Sequence, residues 1–145
     1  MYIVTFKYLL KFSKIIMVVK EKYELEFLLK TSPKVLDGMI STPSGLSEWF
    51  SDDVNIRDDI YTFFWDGSEE KARLLNKKTN SKVKFQWLED EEDGIESYFE
   101  LRYEVDPMTK AVVLKLTYFS EPDEQEETQR FWENQINELK RTLGA

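Results

Sequence analysis

Apolar residues recur along this chain with two periods, and each change of period marks a new element. Over residues 21–29 the period is two: Tyr23, Leu25, Phe27 and Leu29 face one way, Glu24 and Glu26 the other, as in a half-buried strand. Thr31-Ser32-Pro33 then opens a short helix, with Ser32 as N-cap and Pro33 at its first position. Val35, Leu36, Met39 and Ile40 supply its apolar side. Thr42-Pro43 repeats the signal, and Leu46, Trp49 and Phe50 make a second short helix. Strands return at 54–57, 60–65, 71–76, 82–87, 98–105 and 111–119, separated by Asp58-Asp59, Asp66-Gly67, the polar run 77–80, the acidic run 89–94 and Asp106-Pro107. In the strand 82–87, Val83, Phe85 and Trp87 alternate with Lys82, Lys84 and Gln86; in 98–105, Phe99, Leu101, Tyr103 and Val105 alternate with Glu100, Arg102 and Glu104.

The period changes again at the end. Trp132, Ile136, Leu139 and Leu143 lie on one face of a helix predicted over 124–143, widened by Phe131, with Asp123 as N-cap and Gly144 as C-cap. Such a helix is ~30 Å long, enough to cross a small sheet. The order strand, two short helices, about six strands and a long helix predicts an α+β fold, with a curved antiparallel sheet of six or seven strands gripping one C-terminal helix. A twisted sheet cannot follow a straight helix along its whole length, so a hollow is expected beneath Trp132 and Ile136.

Residues 1–16 stand apart. They carry Lys7, Lys11 and Lys14 and no acid among apolar residues. The lysines interrupt any signal-peptide core, and the run is too short and charged to span a bilayer, although it would suit an anionic membrane surface. The preferred expectation is that Met17 is the natural start, leaving one domain over 17–145. Composition narrows the chemistry further. The chain has no cysteine, which excludes disulfides and thiolate metal sites and makes a reducing cytoplasm the expected compartment. It also has no histidine, the commonest general base and zinc ligand. Its net charge of −8 would repel a phosphate backbone, so nucleic acid is not an expected partner. No phosphate loop, dinucleotide fingerprint or nucleophile elbow is present. The acidic run 89–93 lacks the spacing of a calcium loop and reads as a solvated hairpin loop. No cofactor and no metal are expected.

The element order, with Trp49-Phe50 ending the second short helix, Phe85-Gln86-Trp87 in a mid-sheet strand and Phe131-Trp132…Ile136…Leu139 in the last helix, resembles the START-like (SRPBCC) superfamily and its helix-grip fold. Within it, the sequence is most similar to bacterial homologues of the heat-shock-protein ATPase activator. The resemblance covers roughly 20–143 and implies a hydrophobic pocket between helix and sheet, holding a lipid or other apolar small molecule. Trp49, Phe63, Trp65, Phe85, Trp87, Phe99, Tyr103, Trp132, Ile136 and Leu139 are the candidate lining residues. The same rings also suffice to fill that space solidly, because each buries on the order of 150–250 Å². Tyr103 is placed inward by strand parity, its hydroxyl available to a ligand, whereas Arg102 and Glu104 fall on the opposite, solvent-facing side. Tyr61 is a further source of a polar atom. Non-enzymatic binding of an apolar small molecule or lipid is the leading expectation. Its rivals are a protein-interaction module using the acidic surface, as in a chaperone partner, and an enzyme using pocket Tyr or carboxylates.

Overall fold

The structure, a computed structural model, describes residues 18–79 and 81–144. The proposed start at Met17 and the reading of 1–16 lie outside the described residues. Seven strands form one antiparallel sheet: β1 (Glu21–Leu29), β2 (Asp53–Arg57), β3 (Ile60–Trp65), β4 (Ser68–Lys78), β5 (Lys82–Trp87), β6 (Phe99–Val105) and β7 (Val112–Ser120). The order across the sheet is β1-β7-β6-β5-β4-β3-β2. Strands β2 to β7 are a simple meander, and β1 pairs with β7, so β1 and β2 are opposite edges. The chain must therefore cross the whole sheet between its first two strands. Helices α1 (Pro33–Ser41) and α2 (Pro43–Trp49) make that crossing. Both start as their sequences predict: Ser32 Oγ accepts from Val35 N at 3.2 Å and Thr42 Oγ1 from Gly45 N at 2.9 Å, each followed by proline.

Strand parity puts Phe63, Phe85, Phe99, Leu101, Leu114, Leu116 and Tyr118 on the inner face, all buried. The long helix α4 (Gln125–Leu143) lies against that face with Trp132, Ile136 and Leu139 buried. Gly144 ends it in the left-handed region, φ 71°, its N–H reaching the carbonyls of Lys140 and Arg141. The helix begins differently from its prediction. Asp123 does not cap it; Pro122–Glu124 form a 3₁₀ turn and the helix starts at Gln125.

Two other expectations change. The weak strand read at 71–76 is an eleven-residue strand, β4, with a bulge between Leu74 and Asn76. The bulge leaves Leu75 unpaired, so Lys77, not Asn76, lies opposite the inward Val83. Its Nζ donates to Ser41 O at 2.9 Å, placing a cation at the negative end of α1. The acidic run is also no hairpin loop: Leu88–Glu92 form a helical turn, α3, with Glu89, Asp90 and Glu91 at its positive end, closed by Gly94 at φ 69°. On the outer face Glu104 pairs across the strands with Lys115 at 3.0 Å, whereas Arg102 pairs along its own strand with Glu100 at 3.3 Å.

The two crossing helices meet at Gly45, where a Cβ would collide with Gly38 O and lie 2.7 Å from Met39 Cα. Gly45→Ala must therefore push the two backbones apart. It should cost roughly 2–4 kcal/mol, seen as a fall in thermal midpoint on the order of 5–15 °C. An unchanged midpoint by circular dichroism would show that the helices are not packed this closely.

Candidate functional site

Phe50 follows α2 and inserts its ring between helix and sheet, where it is 1% exposed. The rings of Trp49, Phe63, Trp65, Phe99, Phe131 and Trp132 surround it with centroids 4.8–6.3 Å away. Its carbonyl oxygen accepts from Trp65 Nε1 at 2.9 Å and from Gln135 Nε2. The space expected beneath Trp132 is thus occupied by the protein's own Phe50 ring, stacked on the indole at 5.7 Å.

Open space lies instead beside the first half of α4. A cleft of about 500 Å³ is lined by Lys20, Trp65, Ser68, Glu70, Trp87, Glu89, Asp90, Phe131 and Gln135. A smaller cavity of about 140 Å³ adjoins it, bordered by Trp132, Phe99, Tyr118, Ser97 and Thr128 and sharing Lys20, Trp87, Asp90 and Phe131 with the cleft.

Each wall follows from a local rule. Ser68 and Glu70 stand opposite Trp65 and Phe63 across the two-residue turn at Asp66-Gly67, so they share inward parity with the buried Ala72. Trp87 ends β5, and α3 then turns Asp90 back toward Lys20. Phe131 precedes the buried Trp132 on α4 and therefore sits at the margin of the helix's apolar face, 36% exposed. The charge at the base of the cleft is paired: Lys20 Nζ lies 2.9 Å from both carboxylate oxygens of Asp90, and Ser97 Oγ donates to Asp90 Oδ2 at 2.6 Å. Glu70 is different. Partial desolvation and the neighbouring Glu89 carboxylate raise its pKa above the usual carboxylate value. Arg73 on the same strand cannot relieve this, because it holds Asp59 at 2.9 Å and Glu91 at 2.8 Å.

Of the residues singled out from sequence, Trp65 and Trp87 line the cleft, and Phe99, Trp87 and Trp132 border the smaller cavity. Trp49, Phe63, Phe85, Tyr103, Ile136 and Leu139 border neither; all are buried in the core. Trp49 donates its indole N–H to Met39 O at 2.8 Å. Tyr103 donates to Asp37 Oδ1 at 3.1 Å, and burial together with that carboxylate pushes its pKa up to about 12. Its hydroxyl is a fixed donor to the protein. Tyr61 is buried in β3, its pKa raised by desolvation. Lys20, Glu70, Glu89, Asp90, Phe131 and Gln135 were not among the candidate residues. Glu70 alone carried a readable signal, a carboxylate at an inward strand position.

The chemistry open to the cleft is recognition by apolar rings and fixed charge. Asp90 is neutralised by Lys20, and among the described residues no three acids are grouped to hold a metal ion. Two outcomes follow. Lys20→Met leaves Asp90, 6% exposed, with only the Ser97 hydroxyl, and should cost roughly 1–3 kcal/mol, part of which Asp90→Asn in the same chain restores; additive losses in denaturant titrations would show that the pair is not coupled. Glu70→Gln should stabilise the protein at pH 7 by up to about 2 °C. A carboxyl with a folded pKa above its unfolded one penalises folding only when ionised, so this gain should vanish below about pH 4.

Comparison with known proteins adds the family. A family model described as the START-like superfamily domain matches residues 17–145. A Bacteroides fragilis protein solved by solution NMR is 36% identical, with 86% of this chain and 92% of that chain covered and a TM-score of 0.60. The Aha1 dimer from Colwellia psychrerythraea shares the fold at a TM-score of 0.72 and 16% identity, covering 85% of this chain and 96% of that one. An AHSA1-like protein from Aeromonas hydrophila does so at 0.69 and 11%, covering 86% and 92%. No curated protein matches in sequence. The seven-stranded sheet, the crossing pair of short helices and the gripped C-terminal helix agree with the matched model, and the chain belongs to the START-like superfamily.

Proposed function

We propose that this domain is a binding module that holds an apolar or amphipathic small molecule, such as the chain of a lipid, in the cleft beside the first half of α4, without transforming it. The observation that carries this reading is the unfilled space of about 500 Å³ with Trp65, Trp87 and Phe131 on its walls. That volume lies within the range of small-molecule sites, which pair apolar walls with a few placed polar groups. Phe131 is a large ring left 36% exposed, with the partly buried Trp65 and Trp87 on the same walls, and a ligand in the cleft would cover it. In this reading Trp65 and Trp87 touch the ligand, while Phe99 and Trp132 meet whatever reaches past Lys20 into the smaller cavity. Trp49, Phe63, Phe85, Tyr103, Ile136 and Leu139 build the packed wall behind. The absence of histidine and the engagement of Asp90 by Lys20 support retention over catalysis. Among the described residues no helix is long and apolar enough to cross a membrane.

The neutral dye N-phenyl-1-naphthylamine is expected to bind saturably at one site with a rise in its fluorescence. Phe131→Ser, which alters a margin residue of the helix and not its buried stripe, should weaken that binding roughly tenfold, the ~1.4 kcal/mol of a partly buried ring. Absence of saturable binding by the full chain, or equal affinity in the variant, would overturn the proposal.

A further inference from the structure

Resting on the reading of the cleft as a binding site, we infer that its ligand is an organic cation: an ammonium or alkylated ammonium group seated against Glu70 and Glu89, with its apolar body against Trp65, Trp87 and Phe131. The cleft wall carries three carboxylates and one ammonium. That ammonium, Lys20, is already bound to both oxygens of Asp90. Glu70 and Glu89 are therefore the uncompensated charge, and among the described residues neither has a cation within ion-pair distance. Both line the same cleft, and the Glu89 carboxylate adds to the desolvation that raises the Glu70 pKa. Glu70 shares inward parity with the buried Ala72 two places on but is itself exposed at the cleft, where a ligand can reach its carboxylate. Glu70 and Glu89 thus present two like charges on one wall beside the rings, and a bound cation would neutralise them.

The rings point the same way. Aromatic faces attract cations through their quadrupole, and a flat or alkylated ammonium loses less hydration than a bare ion when it meets them. The lack of a three-carboxylate group among the described residues disfavours a divalent metal at the same place. A net charge of −8 adds a long-range attraction for cations and none for anions.

A matched series tests this: nonyltrimethylammonium, nonyl glucoside and nonyl sulfate, each below its micelle concentration, titrated into the full chain and read by tryptophan fluorescence. The cation should bind at least about tenfold more tightly than the neutral glucoside, and the sulfate least. In Glu70→Gln/Glu89→Gln the ratio of cation to glucoside affinity should fall close to one. In Glu24→Gln/Glu26→Gln, which removes two charges from the outer face, the ratio should stay as in the parent. A glucoside that binds as well as the cation, or an equal fall in the outer-face variant, overturns the cation assignment and leaves the binding site standing. Failure of all three to bind saturably overturns both.

Discussion

The attachment of the long helix depends on one residue that belongs to neither helix nor sheet. Phe50 sits in the junction after α2, and its ring and its carbonyl act on different partners. The ring is packed against Phe63 and Phe99 from the sheet and Trp132 from the helix. The carbonyl, which no helical N–H claims, accepts from Trp65 on β3 and Gln135 on α4. A buried carbonyl left unsatisfied would cost about 1–3 kcal/mol, so the two donors hold the junction as firmly as the ring does. Helix, sheet edge and crossing helices are thereby fixed to one point. A straight helix over a twisted sheet must leave a gap somewhere, and this plug decides where. With the middle filled, the gap opens beside Phe131, toward α3 and the β3–β4 turn.

That displacement changes the character of the site. A hollow beneath Trp132 and Ile136 would be walled mainly by the rings of the core and sealed from water. The cleft that exists mixes rings with carboxylates and an amide, and stays open to solvent. Its base is stiffened by Lys20, Asp90 and Ser97, joining the start of β1, α3 and the approach to β6. In the proposed reading, a stiff base below and accessible charge above suit the cleft to recognition.

Much of the fold was legible from residue order. The two cap-then-proline signals, the alternation in β1, β5 and β6, and the stripe of α4 with its glycine stop all depend on near neighbours, which the chain displays directly. What escaped depends on pairs far apart or on parity. Lys20 and Asp90 are 70 residues apart and read separately as one surface lysine and one acid in a run. The bulge at Leu75 switches the facing of Lys77, and no motif announces it. The site was legible only in part: of the nine residues lining the cleft, Trp65 and Trp87 were among the rings expected around a pocket, but aromatic periodicity cannot distinguish a ring that fills a space from one that borders it. Phe50 and Phe131 differ in that respect only because one lies at the junction and the other at the margin of a helix face.

The pairing of β1 with β7 has a consequence for how the protein comes into being. Glu21 lies opposite Ser120, and Leu29 opposite Val112, so the first strand made finds its partner only when nearly the whole domain has been synthesised. Until then the apolar side of β1, Leu25, Phe27 and Leu29, has no sheet to join while the meander from β2 to β6 can already form. Such remote pairing slows assembly and prolongs the exposure of an unpaired edge on the ribosome. The alternating glutamates Glu24 and Glu26 then serve a second purpose, keeping the waiting strand soluble and its edge unattractive to neighbouring chains.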